Sequence, residues 1–195
     1  MNKSEITLAI EPLIQTFEEI GISYYICGSI ASSAFGISRT TQDIDFVSDI
    51  SKASVEIFVE KLRDKYFIDA DMIKDAIDTK TSFNLIHLET MMKIDIFILK
   101  DSLFHMKTNE RKFKDKLDEN ENSIEIYLCS AEDIILSKLV WYVSGNEISE
   151  RQWLDVIGVI KVQQQNLDLE YLNYWSKELN VERLLRKAFL ECDLK

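Results

Sequence analysis

Gly28-Ser29, followed by Arg39-Thr40-Thr41-Gln42-Asp43-Ile44-Asp45 and completed downstream by Lys93-Ile94-Asp95-Ile96-Phe97, is the stretch whose reading decides the fold. Residues two apart on a β-strand point to the same face. Asp43 and Asp45 therefore project together, with Ile44 and Phe46 buried behind them. On the later strand Lys93, Asp95 and Phe97 share one face, and Ile94, Ile96 and Ile98 the other. If the two strands pair, three carboxylates converge. Clustered carboxylates raise one another's pKa unless something positive sits among them. Magnesium (or manganese) is the expected answer, a hard cation with oxygen ligands and room for substrate phosphates. Two such ions, about 4 Å apart, would hold an attacking hydroxyl and a leaving pyrophosphate in line. In that arrangement Asp43 and Asp45 bridge the ions, while Asp95 binds the catalytic ion and helps deprotonate the nucleophile.

Gly28-Ser29 reads as a strand-to-helix turn. Glycine permits close backbone approach, and a helix N-terminus offers free N–H groups to phosphate. The Ser29 hydroxyl can add a hydrogen bond to a terminal phosphate. Arg39, beside Thr40 and close to the two aspartates, suits contact with a triphosphate or orientation of a carboxylate.

Working outward, a first helix is expected at about 11–20, with Pro12 in its first turn and Gly21 as its stop. Ile22 to Cys27 reads as a buried strand, and Ile30 to Phe35 as a short helix stopped by Gly36. Asp43 to Val47 alternates as a half-buried strand does. Ser51 or Ser54 can cap a helix carrying Val55, Phe58, Val59 and Leu62. Ser82 to Leu88 and Met92 to Leu99 form a hairpin over Glu89-Thr90-Met91. Phe104 to Asp118 reads as surface helix or loop, 118–123 as a polar break, and Ile124 to Cys129 as another strand. Ser130 is an N-cap with Asp133 as its capping-box partner. Helices at about 131–144, 149–164, 168–179 and 181–191 complete the chain. The fold class expected is α+β: a mixed β-sheet flanked by helices with a C-terminal helical part. The division expected is a catalytic part at 1–129 and a helical bundle packed on it at 130–195.

Composition narrows the function. Of 195 residues 46% are hydrophobic, enough for a sizeable core. The balance of 23 Lys+Arg against 34 Asp+Glu gives a net charge of −11, which argues against a non-specific coat on double-stranded DNA. No apolar run approaches the roughly 20 residues of a membrane span, and Met1 to Glu5 does not open a secretory leader. Cys27, Cys129 and Cys192 have no paired spacing and read as reduced thiols of a cytoplasmic protein. Zinc is not expected, since there is no C-x-x-C and the only histidines are His87 and His105.

These residues resemble the nucleotidyltransferase superfamily related to DNA polymerase β, whose pattern is a Gly-Ser or Gly-Gly turn, then Asp-x-Asp, then a third Asp on a later strand. The form here, with Gly36-x-x-Arg39-x-Thr41-x-Asp43-x-Asp45, is similar to the AbiEii/MenT-like toxin nucleotidyltransferases and their small relatives. The likeness covers about 20–100. It extends to about 130–158, where Ser130-x-Glu132-Asp133, Lys138, Arg151 and Asp155 look like the family's helical motifs. It implies nucleotide binding by Gly28, Ser29, Arg39 and Thr40, contact of Lys138 with nucleotide phosphates, and support of the site by Asp155. It also implies transfer of a nucleoside monophosphate from an NTP to a hydroxyl of RNA, such as tRNA, or of a protein, with a cognate antitoxin or a phage-defence setting.

Plainer readings stand beside these. Lys138 reads equally as a snorkelling lysine, and Asp155 as an i,i+4 partner of Arg151. Trp141, Tyr142, Trp153, Tyr171, Tyr174 and Trp175 are first of all helix packing. The basic segment Lys107, Arg111, Lys112 and Lys114 is first of all a solvated face, with contact to RNA phosphates as its alternative. Two further functions fit the same motif: an aminoglycoside nucleotidyltransferase, whose cationic substrate suits an acidic chain, and a nucleotide- or partner-binding module without turnover.

Overall fold

The computed structural model describes residues 4–38, 41, 43–117 and 123–193. Its helices are α1 (Glu5–Glu19), α2 (Gly28–Phe35), α3 (Val55–Leu62), α4 (Ala70–Thr79), α5 (Leu103–Arg111), α6 (Ala131–Ser144), α7 (Glu150–Gln163), α8 (Leu169–Glu178) and α9 (Glu182–Glu191). Its strands are β1 (Tyr24–Ile26), β2 (Asp43–Ser48), β3 (Tyr66–Phe67), β4 (Ser82–His87), β5 (Lys93–Ile98), β6 (Phe113–Lys116) and β7 (Glu125–Leu128). They fall into two compact units, one drawn from 1–26 and 41–128, the other from 27–40 and 129–195.

The first unit is built on one mixed sheet of order β3-β4-β5-β2-β1-β7-β6. The hairpin of β4 and β5 is antiparallel, as expected from the short link between them. β2 runs parallel to β5 and antiparallel to β1. Period-two alternation then sorts the side chains: Ile44, Phe46, Ile94, Ile96, Phe83 and Leu85 are all buried on one face. α1 and α3 supply the partners for that face. The Phe17 ring lies 5.1 Å from Tyr24, 5.4 Å from Phe58 and 6.0 Å from Phe46, centroid to centroid. Such offset and tilted pairs add to the area they bury.

α1 departs from the expected helix at 11–20. It begins at Glu5 and carries Pro12 in its interior. An internal proline costs about 3 kcal/mol through its missing N–H and its ring's clash with the preceding turn. Two gains offset this. Ser4 caps the helix, its Oγ accepting from the Thr7 N–H at 3.1 Å, which contributes about 1 kcal/mol. The turn before Pro12 also buries Ala9 and Ile10 completely, and an aliphatic side chain of that size contributes about 1.5–3 kcal/mol. The Tyr66 hydroxyl further ties this turn down by donating to the Ala9 carbonyl at 2.8 Å.

Three elements have no counterpart in the sequence reading: β3, α4 and β6. α4 carries a usable signal, since the Asp69 carboxylate accepts from the Asp71 and Met72 N–H groups as an N-cap. The polar break expected at 118–123 lies, but for Ser123, outside the described residues.

The second unit is helical, and its helices start where their caps stand. Ser130 accepts from the Asp133 N–H at 3.2 Å, and its own hydroxyl donates to the Asp133 carboxylate at 2.9 Å. Ser149 and Asp168 cap α7 and α8 in the same way. Asp133 is fully buried and also accepts from the Tyr171 hydroxyl at 2.6 Å, which joins α6 to α8. Gly36 ends α2 against α7: a Cβ there would stand 2.8 Å from the Val159 nitrogen, so only glycine allows this approach. The whole has the α+β architecture expected, a mixed sheet with flanking helices and a C-terminal helical part.

Because Phe17 is at once in contact with β1, β2 and α3, Phe17→Ala should destabilise the protein by about 3–5 kcal/mol. Urea unfolding followed by circular dichroism measures this.

Candidate active site

β2 and β5 pair in parallel with Asp43 opposite Lys93 and Asp45 opposite Asp95. The conditional step of the sequence reading therefore holds, and the three carboxylates share one face of the sheet. Asp43 is exposed, Asp45 is partly exposed, and the Asp95 side chain is 21% exposed. On the far side of β5, Asn84 of β4 stands opposite Asp95. The opposite face of the same strands is the apolar core, which keeps their backbones from moving.

The charges on this face are not all negative. The Lys93 ammonium lies 2.8 Å from Asp95 Oδ1 and 2.9 Å from Oδ2. The hydrogen bond to Asp95 raises the Lys93 pKa above its ordinary value. Partial burial opposes that rise, and the negative charges of Asp95, Asp43 and Asp45 reinforce it. Lys93 is thus a positive group beside the three carboxylates. The sequence reading placed it on this face but gave it no role. Asn84 was not singled out; the turn over Leu88 to Met91, centred between Glu89 and Thr90 and one residue longer than the expected link, aligns it with Asp95.

In donor chemistry and in facing, Asp43, Asp45 and Asp95 fit a hard divalent cation. Their side chains are not gathered on a point: among the described residues no three His, Cys, Asp or Glu are grouped so that they could hold a metal ion.

Gly28 opens α2 and belongs to the second unit. Its φ of +61° is a left-handed conformation that glycine adopts without strain. Ser29 follows in the first turn, where its carbonyl accepts from the Ser32 hydroxyl at 3.2 Å. Cys27, at the N-cap position, makes no side-chain cap. Arg39 and Thr40 lie outside the described residues.

Lys138 and Asp155, also in the second unit, meet each other. Lys138 Nζ is 2.6 Å from Asp155 Oδ2, and the two side chains are only 3% and 7% exposed. Lys138 is therefore not a snorkelling lysine, and the Asp155 carboxylate has a cation from another helix rather than depending on Arg151. The Trp141 ring lies 5.9 Å from the same ammonium. The other aromatic residues pack helices: Tyr142 against Trp153, Tyr171 and Tyr174 against Trp175. Lys187 sits over the Trp153 ring at 4.6 Å.

The basic segment is α5 with β6. Lys107 pairs with Glu110, Lys114 pairs with Glu125, and Lys112 donates to Asn109 and Ser23. Lys107 and Lys114 are exposed, whereas Lys112 is half-buried, 5.2 Å from the centre of the Tyr127 ring. His87 is buried and bonded to the Thr90 hydroxyl, and His105 is bonded to Ser102. Cys27 and Cys129 are buried, and burial pushes the Cys129 thiol well up from its ordinary range. Among the described residues no helix is long and apolar enough to cross a membrane.

Known structures share this arrangement of strands and helices. An antigenic nucleotidyltransferase-like protein from Paracoccidioides brasiliensis is 14% identical and superposes with a TM-score of 0.55, over 98% of this chain and 94% of that one. ANT(2'')-Ia, solved in complex with adenylyl-2''-tobramycin, is 10% identical with a TM-score of 0.56, over 91% of this chain and 98% of its own. The same antibiotic-resistance factor in solution is 16% identical with a TM-score of 0.52, over 95% of both chains. The chain has the nucleotidyltransferase fold, and identities this low speak for the fold alone. No family model matches the sequence, and no curated protein does.

A buried ion pair broken on one side leaves an uncompensated charge, at a cost of about 3–5 kcal/mol. Asp155→Leu, which leaves the buried Lys138 ammonium without its carboxylate, should therefore destabilise strongly, and Asp155→Asn, which keeps a hydrogen-bond acceptor, should destabilise less. Chemical denaturation of the two variants and the parent measures this.

Proposed function

We propose that this protein is a cytoplasmic nucleotidyltransferase that moves a nucleoside monophosphate from an NTP to an acceptor hydroxyl and releases pyrophosphate. The observation that carries the reading is the register Asp43↔Lys93, Asp45↔Asp95 on one face of the sheet in a nucleotidyltransferase fold. In the reaction the acceptor oxygen bonds to the α-phosphorus, the bond from that phosphorus to the α,β-bridging oxygen breaks, and pyrophosphate carries the electron pair away. The hydroxyl proton passes to the Asp95 carboxylate. Asp43, Asp45 and Asp95 would hold magnesium or manganese, which supplies Lewis-acid neutralisation of the triphosphate and a more acidic hydroxyl. The resemblance assigns the triphosphate to Gly28, Ser29, Arg39 and Thr40. It gives Lys138, held by Asp155, to the nucleotide phosphates.

For the acceptor, the toxin-like form of the motif favours a hydroxyl of RNA, such as tRNA, or of a protein, with a cognate antitoxin as partner. A second acceptor class is favoured by two other observations. The chain carries a net charge of −11, which suits a polycationic aminoglycoside. ANT(2'')-Ia, whose complex holds an adenylylated aminoglycoside, also superposes over 91% of the chain.

Each α-labelled NTP, with magnesium, is offered to total RNA, total protein and a panel of aminoglycosides. Label should enter one fraction and identify both base and acceptor class. Asp43→Asn should reduce transfer by at least about 100-fold, the order expected when a transition-state electrostatic element is removed, with the circular dichroism spectrum unchanged. Undiminished transfer by Asp43→Asn would exclude the carboxylate assignment. NTP-induced thermal stabilisation without label in any fraction would favour a binding module.

A further inference from the structure

Among the candidate features of the molecule, the carboxylate face holds the one charge the proposed chemistry leaves unexplained. Asp45 and Asp95 stand directly opposite each other on neighbouring strands. Like charges in that position repel, and Asp43 adds a third on the same face. The sheet's apolar side holds the two strands in register, so the three carboxylates stay on one face. Lys93 is opposite Asp43 and bonded to both oxygens of Asp95. Its side chain is 47% exposed. An exposed ion pair is weak and readily exchanged.

Resting on the metal-dependent reading above, we infer that Lys93 is a tethered counter-cation that occupies the carboxylate face when no divalent ion is bound and must leave Asp95 for that carboxylate to become a ligand. Lys93 offsets the charge of Asp95 in the metal-free protein, beside Asp43 and Asp45 on the same face. It also competes with the divalent ion for Asp95 and so raises the free-metal concentration at which the site loads.

The test is binding of Mn2+ to nucleotide-free protein, read from the electron paramagnetic resonance signal of the free ion, for the parent, Lys93→Met, Lys93→Gln and Lys93→Arg. The uncharged variants should bind Mn2+ on the order of tenfold more tightly than the parent, as expected when one positive charge is removed from a partly exposed site. Lys93→Arg, which keeps the charge, should remain near the parent. Without metal, Lys93→Met should melt a few degrees lower, and adding Asp43→Asn should restore part of that loss by removing one repelling charge. Unchanged or weaker Mn2+ binding in both uncharged variants overturns the inference while leaving the metal site standing. Failure of every protein to bind Mn2+ removes the metal reading, and this inference with it.

Discussion

The parallel pairing of β2 with β5 is the constraint on which everything else in the first unit depends. It sets Asp45 against Asp95 and Asp43 against Lys93, and it does so because the other face of the same residues is apolar and buried. A slip of one residue in either strand would send Ile44 or Ile94 to the solvent and an aspartate into the core. Hydrophobic burial on one face thus enforces an unfavourable charge arrangement on the other. The core formed by Phe17, Tyr24, Phe46 and Phe58 is remote from the chemistry in character, yet it is what holds the carboxylates in place.

The second unit solves a similar problem by different means. It buries Glu132, Asp133 and Lys138 inside a helical bundle and gives each of them a polar partner. Lys138 meets Asp155 between α6 and α7. Asp133 is satisfied by Ser130 and Tyr171, and Glu132 accepts from the Asp168 N–H at 2.9 Å. Each of these links spans two helices or a helix and its cap. Low dielectric surroundings make such polar contacts demanding in geometry, so they select one packing of helices that apolar side chains alone would leave less defined.

Much of this was legible from residue patterns, and the parts that were not share a physical reason. The β4–β5 hairpin is announced by alternation in its strands and α6 by the Ser130 cap; Ser149 and Asp168 stand at the starts of α7 and α8 as further local signals, while α9 follows Val181 without a side-chain cap. The facing of Asp43, Asp45 and Asp95 follows from period two alone once the strands pair. The early start of α1 was hidden because Pro12 reads as a beginning, while the Tyr66 and core contacts that favour the preceding turn come from distant chain. β3 and β6 are short edge strands whose existence depends on the neighbour each one pairs with. The contact of Lys138 with Asp155 is likewise tertiary: spacing favoured Arg151 as partner, and only the packing of α6 on α7 brings the lysine instead. The contact of Lys93 with Asp95 has no motif either: a lysine two residues from an aspartate on a strand is as often turned to solvent.

The chain's two units are interleaved in order, since α2 belongs with helices that begin only after residue 129. On a ribosome α2 emerges long before α6 and α7 exist, and it is eight residues long, too short to persist as an isolated helix in water. Gly36 must then accept the backbone of Val159 within a space that excludes even a methyl group. The short segment of α2 is therefore captured by helices made more than ninety residues later, and until they exist the Gly28-Ser29 turn lacks the elements it packs against.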